Sequence, residues 1–398
     1  MDSLRVGIIG VGNIGHAHCS GIAGGKIKGM TLCALCDTDE AKREMLFSEF
    51  PGVRIFEDGD ELIKSGLADA VIVATPHYFH PHYVITALEN NVNVLTEKPA
   101  GVNVSEVLKM NAAAAKTNAR FGIMFNQRTD PLFGKAKQII EEGGIGVPKR
   151  LVWIVTNWYR TQSYYDSGSW RATWNGEGGG VLINQAPHNI DLWQWLFGMP
   201  SKVTAFCREG LYHNIGVEDD ATIYAEYENG ASAVFITTTG EAPGTNRLEI
   251  SGDKGRLVLE KNELRYVKLG IPEREFCFTS EAAAAVPPME ETVYSSPQER
   301  DGHELILEDF AAAVLEGKPM LASGTDGIRE LSITNAAFLS SWTGRTVDLP
   351  LSAEDMAEFD RLLEAKKEEE RKLDGATGKG GEKTAGKSEY IKRWSVKW

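Results

Sequence analysis

Three short runs carry side chains that could do chemistry. Ala74-Thr75-Pro76-His77-Tyr78-Phe79-His80 and Thr96-Glu97-Lys98-Pro99-Ala100 each leave an apolar strand, and ligands of open α/β sheets bind outside the carboxyl ends of such strands. The third, Gly178-Gly179-Gly180-Val181-Leu182-Ile183-Asn184-Gln185-Ala186-Pro187-His188, sets an amide four residues ahead of a histidine. Pro187 suits the first position of a helix, so His188 falls in the first turn. There the positive helix end disfavours imidazolium and leaves a neutral ring able to take a proton. A base, a cation that stabilises developing alkoxide, and a hydride acceptor at fixed distance are what oxidation of a secondary alcohol needs. His188 is the candidate for the first role.

The hydride acceptor has its own signature. Gly10-Val11-Gly12-Asn13-Ile14-Gly15 follows the buried strand Val6-Gly7-Ile8-Ile9 and opens a helix, and Asp37 ends the next strand 22 residues past Gly15. This is the dinucleotide fingerprint: a tight turn, close backbone approach to pyrophosphate, and a carboxylate on the ribose diol. Asp37 would repel a 2′-phosphate, and the nearest following basic residues are Lys42 and Arg43, so the expected cofactor is NAD rather than NADP. Expected cofactor contacts are Gly10, Gly12, Asn13, Ile14, Gly15, Asp37, Thr75, Pro76, His77, His80, Glu97 and Lys98. No metal is expected.

The elements that must position these residues follow from pattern and length. At about 150 residues per domain, 398 residues give two to three domains. Apolar runs alternating with helical stretches up to residue 125 imply parallel βαβ units, an α/β Rossmann doubly wound sheet. From about residue 150 longer strands, at 151–158, 221–227, 231–239 and 247–250, are joined by short turns such as Glu228-Asn229-Gly230. That rhythm predicts an α+β domain with a large, mostly antiparallel open sheet over 126–350. Helices are expected at 303–316 and 327–341. Residues 351–398 read as a charged helix, a Gly-rich linker from Gly375, and a tail with Trp394 and Trp398 whose balance from Gly375 onward is +4. The tail could reach a neighbouring subunit or simply be a disordered end.

Composition excludes whole classes. A hydrophobic fraction of 42% with 25% charged residues is ordinary globular composition, and a net charge of −14 repels nucleic acid and anionic lipid. Five cysteines do not suggest a disulfide framework, and Cys33 and Cys36, on a strand and expected on opposite faces, read as buried packing. With no signal-like start and no membrane-length apolar run, the expected location is cytoplasmic.

Aromatic residues supply the substrate clue. Six of nine tryptophans (Trp153, Trp158, Trp170, Trp174, Trp193, Trp195) lie between 153 and 195, and Trp193 and Trp195 share a helix with Leu192 and Leu196, which reads as core. Trp158, Tyr159, Arg160, Tyr164, Trp170 and Arg171 are interleaved with polar residues and read as a lid or pocket wall that meets the CH faces of a sugar or an aglycone ring.

Taken together, the glycine fingerprint, Glu97-Lys98-Pro99, Gly178-Gly179-Gly180 and His188 with Asp191 resemble the glucose-fructose oxidoreductase and inositol dehydrogenase superfamily, Gfo/Idh/MocA. The resemblance runs from about Arg5 to Pro350. It implies that Lys98 hydrogen-bonds the reacting hydroxyl, that His188 takes its proton, and that the open sheet carries the substrate pocket on one face and a subunit contact on the other, hence a homo-oligomer. Substrate-binding candidates are then Lys98, Arg128, Trp158, Tyr159, Arg160, Tyr164, Trp170, Arg171, Asn184 and His188. Asn184 stands where many members have aspartate, and His77 replaces a common asparagine. The aromatic stretch with Asn-Gln-Ala-Pro-His is similar to members that oxidise C3 of glucosides and anhydrosugars, such as the glucoside 3-dehydrogenases and levoglucosan dehydrogenases. The expected reaction is reversible NAD-dependent oxidation of a pyranose or glucoside hydroxyl to a ketosugar. A glycosidase using NAD transiently, an inositol or polyol dehydrogenase, and a non-catalytic NAD-binding sensor are the open alternatives.

Overall fold

A computed structural model describes residues 3–168 and 170–377. The doubly apolar runs form one parallel sheet of β1 (Leu4–Ile9), β2 (Met30–Cys36), β3 (Arg54–Phe56), β4 (Ala70–Val73), β5 (Asn93–Thr96) and β6 (Phe121–Ile123), ordered β3-β2-β1-β4-β5-β6. Its strand order reverses between β1 and β4, the point at which such sheets bind ligands. The helices α1 (Asn13–Ala23), α2 (Glu40–Glu49), α3 (Gly59–Lys64), α4 (His80–Glu89) and α5 (Val104–Ala114) connect the strands. Every side chain of β4 is buried, as a strand covered on both faces requires. Between Val6↔Leu32 and Gly7↔Ala34 the β1–β2 register slips, so Cys33 is an extra, bulged residue. Burial pushes the Cys33 thiol up to about 11 and the Cys36 thiol up to about 12, which suits packing rather than redox chemistry.

The second sheet follows α6 (Pro131–Glu141) and contains β7 (Pro148–Val155), β8 (Lys202–Glu209), β9 (Glu218–Glu226), β10 (Ser232–Thr238), β11 (Asn246–Gly252), β12 (Gly255–Glu260), β13 (Glu263–Leu269), β14 (Met289–Tyr294) and β15 (Val347–Asp348). Its order is β14-β13-β12-β11-β7-β10-β9-β8-β15, antiparallel except where β7 pairs with β10. Alternation sets its buried face: Leu151, Trp153 and Val155 of β7 lie beside Ala233, Phe235 and Thr237 of β10. Trp153 packs edge-on against Phe235 at 6.2 Å between centroids, and Phe235 stacks on Trp193 at 5.9 Å. Trp193 is therefore core, whereas Trp195 is half-buried beneath Lys137. The remaining helices are α7 (Gln162–Asp166), α8 (Pro187–Phe197), α9 (Glu273–Thr279), α10 (Gly302–Glu316), α11 (Gly327–Thr343) and α12 (Ala353–Thr377).

Among the described residues, those up to Asp130 with Gln298–Leu331 form one compact unit, and those of Pro131–Pro297 with those from Ser332 onward form the other. Residues 298–331, expected within the second domain, thus return to the Rossmann unit, where the Lys28 N–H donates to Glu308 at 3.1 Å. No composition change marks this return, because it is a long-range packing choice. α12 runs through Gly375, the expected start of the linker, and Trp394 and Trp398 lie outside the described residues. Among the described residues, no helix is long and apolar enough to cross a membrane.

Candidate active site

The cofactor side is built by the end of β1. Gly10 takes φ +88°, and a Cβ there would lie 2.7 Å from the Ala74 carbonyl oxygen, so only glycine lets the turn close against β4. A Cβ on Gly15 would collide with the Gly10 carbonyl, which presses α1 onto the turn. A Cβ on Gly12 would meet nothing within 4 Å, so the backbone there faces open space. Gly12 is also the N-cap of α1, with no side-chain cap and no acid in the first turn, leaving the N–H groups around Asn13 and Ile14 for an anion. Asp37 braces the loop by accepting from the Val11 N–H at 2.9 Å and the Asp39 N–H at 3.0 Å. Beyond β4, the Thr75 hydroxyl oxygen is buried without a hydrogen-bond partner. An orphaned polar atom, an open glycine backbone and a carboxylate directly after β2 fit NAD.

Pro76 caps the short 3-10 turn that holds buried His77. His80, expected to touch the cofactor, is a brace instead: its Nδ1 lies 2.7 Å from the Pro99 carbonyl and its Nε2 2.8 Å from the Thr75 carbonyl. Burial holds this ring below the ordinary histidine range, with the two carbonyls opposing. Glu97 is likewise committed inside the protein. Its Oε1 meets His18 Nε2 of α1 at 2.8 Å, both side chains buried. Burial works against ionisation of Glu97, but the His18 bond and charge, with His303 and Lys98 adding theirs, hold its carboxyl down to about 2. Within residues 94–100, Lys98 alone is partly exposed.

The Glu97 pair carries a pH signature. Its folded-state pKa lies below the ordinary 4.5, so the stabilisation is complete above that value and is lost as pH falls toward about 2. The shift corresponds to about 3 kcal/mol. Denaturant unfolding between about pH 5 and about pH 2 should show this acid-side loss in the native chain and not in His18→Gln. Parallel curves for the two proteins would show that the pair contributes nothing.

Arg128, expected to bind substrate, is engaged inside the protein. It is buried, donates to the Leu321 carbonyl at 2.9 Å and pairs with Asp326 at 2.9 Å, tying down the returning segment. Its neighbour Asn126, missed in the sequence, has a buried Oδ1 without a hydrogen-bond partner, and its Nδ2 lies 3.2 Å from His303. The available signal was a polar side chain directly after the apolar run 121–125.

The substrate side rests on a π-helical turn, Val181–Gln185, that runs into α8. The Ala186 N–H donates to the Val181 carbonyl at 2.8 Å, the wider spacing that defines this turn. Buried Glu218 accepts from the Gly180 N–H at 2.9 Å and the Leu182 N–H at 2.9 Å. Burial pushes this carboxyl up to about 8, while those backbone donors pull it back. The positive helix end is therefore at Gly180 and Leu182, not at Pro187, and the expected dipole effect on His188 moves upstream. Within residues 177–190, Asn184 and His188 are the two that are partly exposed. A spacing of four brings both to one side of the helical run.

Asn184 donates its amide to Glu177, a short contact, and Glu177 also accepts from the Ala172 N–H at 2.6 Å. Glu177 is buried and was missed in the sequence, where a carboxylate beside three glycines carries no signal of its own. It puts a carboxyl group directly behind the amide that stands where many family members have aspartate. The aromatic loop contains α7, from which Tyr165 turns inward to donate to Thr239 at 2.7 Å. Tyr164 gathers the rest: Arg171 donates to its hydroxyl at 2.9 Å and Gln185 at 3.2 Å, and the Arg160 and Arg171 guanidinium carbons lie 5.0 and 4.8 Å from its ring centroid. Arg171 also covers Trp170 at 4.8 Å, and Trp158 donates to Asn189 at 3.1 Å. Trp158, Arg160, Tyr164, Trp170, Arg171 and Asn184 are thus one cluster, while Tyr159 is exposed at 48% and stands outside it.

Two family models match: "Oxidoreductase family, NAD-binding Rossmann fold" over residues 4–125, and "GFO/IDH/MocA C-terminal domain" over residues 133–258. The chain is 24% identical over 353 residues to scyllo-inositol 2-dehydrogenase (NAD(+)) of Bacillus subtilis, covering 87% of this chain and 96% of that protein. It is 25% identical to the WlbA dehydrogenase from Bordetella pertussis, solved in complex with NADH and UDP-GlcNAcA, at a TM-score of 0.73 over 88% of this chain and 100% of that one. Levoglucosan dehydrogenase in complex with NADH and levoglucosan shares the fold at a TM-score of 0.72 and 23% identity, over 87% of this chain and 100% of that one. With the fingerprint loop, the Glu97-Lys98-Pro99 turn and both family domains in place, the chain belongs to the Gfo/Idh/MocA family and is an NAD-dependent oxidoreductase.

Proposed function

We propose that the protein oxidises a secondary hydroxyl of a pyranose sugar or glucoside, at C3, to the ketosugar, reversibly. In coarser terms it is a sugar or polyol dehydrogenase, in line with the relatives named above. The observation that carries the finer reading is the pairing of Asn184 and His188, which surface from an otherwise buried run, with the aromatic cluster around Tyr164. Trp158 and Trp170 offer apolar faces to sugar CH groups, and the polar tips of Tyr164, Arg171 and Asn184 suit hydroxyls.

NAD, held at Gly10, Gly12, Gly15 and Asp37, supplies the hydride acceptor. Lys98 donates to the reacting hydroxyl oxygen and stabilises the negative charge that develops on it. The imidazole of His188 accepts the hydroxyl proton, and in the reverse direction returns it. Asn184, its amide oriented by Glu177, positions a neighbouring hydroxyl. The buried Glu177 carboxylate favours the imidazolium that forms, a role a neutral amide cannot fill by itself.

The purified protein is to be mixed with methyl glucoside, an aryl glucoside and myo-inositol, with NAD, following nicotinamide absorbance and products. Reduction by the glucosides with a 3-ketosugar as product is the expected result. A response to inositol alone makes it a polyol dehydrogenase, and free sugar without lasting reduction makes it an NAD-dependent glycosidase. We also infer a homo-oligomer, because β8 and β9 expose Phe206 (66%) and Tyr224 (43%). Light scattering that reads one chain per particle refutes it.

A further inference from the structure

We propose that the C-terminal helix α12 is a clamp that holds the substrate loop, residues 170–178, in its binding conformation, with Glu370 as the positioning residue. This rests on the sugar-oxidising reading of the site. α12 lies C-terminal to both matched family segments.

The contacts are specific rather than general packing. Glu370 accepts from two consecutive backbone N–H groups of the loop, Trp174 at 3.1 Å and Asn175 at 2.9 Å, and from the Asn175 amide at 2.7 Å. That amide also donates to the Lys367 carbonyl at 2.9 Å, and its oxygen accepts from Arg371 at 2.9 Å. Both ends of the Asn175 side chain are therefore read by α12, as is its N–H. Charge-assisted bonds to backbone N–H are among the stronger hydrogen bonds a carboxylate makes. The helix itself is seated by an aromatic column: Trp342 stacks on Phe338 at 5.5 Å and on Phe359 of α12 at 5.5 Å, and Trp174 meets Trp342 edge-on at 5.5 Å. Lys366 adds an ion pair with Glu209 at 2.8 Å.

From the clamped residues the coupling to the site is short. Asn175 is followed by Gly176, whose N–H donates to Thr173 at 2.9 Å, while the Glu177 and Gly178 N–H groups each donate to the Thr173 carbonyl at 3.0 Å. Thr173 closes the turn by donating to the Trp170 carbonyl at 2.7 Å. This one turn carries Trp170 and Arg171 on its entering side and Glu177, which orients Asn184, on its leaving side. Freeing Trp174 and Asn175 from Glu370 lets the turn spread its conformations, and binding the sugar must then reorder it. The reacting groups Lys98 and His188 are left in place. The main effect therefore falls on KM, with a smaller one on kcat through Glu177.

The test uses the full chain as Glu370→Ala, with Glu370→Gln as the conservative variant that keeps one acceptor oxygen. In Glu370→Ala, amide exchange of residues 170–178 is expected to quicken by about tenfold or more, with KM for the glucoside up about tenfold and kcat within about threefold. Glu370→Gln should fall between it and the native chain, and NAD affinity should not move in either. Exchange and KM both unchanged, or a loss confined to kcat, overturns the clamp. If Glu370→Ala does not fold, the Glu370→Gln arm decides by the same criteria. Should the native chain oxidise no sugar, the functional reading fails, yet the exchange of residues 170–178 still decides whether α12 holds the loop.

Discussion

Lys98→Ala is expected to lower kcat by about 10²–10⁴-fold while NAD affinity changes by less than about threefold. The reason lies in how the side chain is presented. Lys98 is the partly exposed residue of a run whose other members are buried, and its neighbour Glu97 is locked to His18 at 2.8 Å. The turn is therefore a rigid mount for one cation, and a mounted cation stabilises an alkoxide better than a mobile one, since no reorganisation is needed as charge develops. Gly10 and Gly12, which would meet the pyrophosphate, and Asp37, which would meet the ribose, lie at other strand ends and should not register the change. Steady-state kinetics in both directions, with cofactor binding followed by fluorescence, separates the two effects. A kcat within about threefold of the native value would remove Lys98 from the chemistry.

His188→Ala should cost a similar factor, about 10²–10⁴-fold in kcat, and should also change the shape of the pH profile. A base works only when unprotonated, so native oxidation should fall on the acid side as the imidazole is protonated, and the variant should lose that limb. Added imidazole should restore part of the rate, because the cavity left by truncation admits a base of the same kind. An unaltered acid limb in His188→Ala would assign the titration to another group. Loss of activity in both Lys98→Ala and His188→Ala also removes the sensor alternative.

The local chemistry was legible because it is written in contiguous residues. The loop from Gly10 to Gly15 needs glycines for reasons visible in one turn and one helix start, and the structure shows each of those reasons as a clash or an opening. Pro187 marked the start of α8 as read, yet the π-helical turn before it was not legible, since Val181, Leu182 and Ile183 suit an ordinary helix or strand equally. That turn moved the positive helix end to Gly180 and Leu182 and placed it against Glu218, a residue 38 positions away. His80 and Arg128 looked like ligands by their places beside strand ends. In the fold their polar atoms face the Pro99, Thr75 and Leu321 carbonyls and Asp326 instead. No local rule can tell a polar group aimed at a ligand from one aimed at a distant backbone oxygen.

What the sequence by itself determined is the cofactor class, the two sheets and the identity of Lys98, Asn184 and His188 as the groups to test. Periodicity and glycine spacing are local properties that suffice for the cofactor class and the sheets, while the roles of Lys98, Asn184 and His188 follow from the resemblance to the family. Only tertiary structure decided that Glu97 pairs with His18, that Glu177 stands behind Asn184, that residues 298–331 belong to the Rossmann unit, and that Glu370 grips Asn175 from 195 residues away. Each of those depends on burying a charge or closing a long loop, and the free energy of both is settled by what the rest of the chain brings alongside.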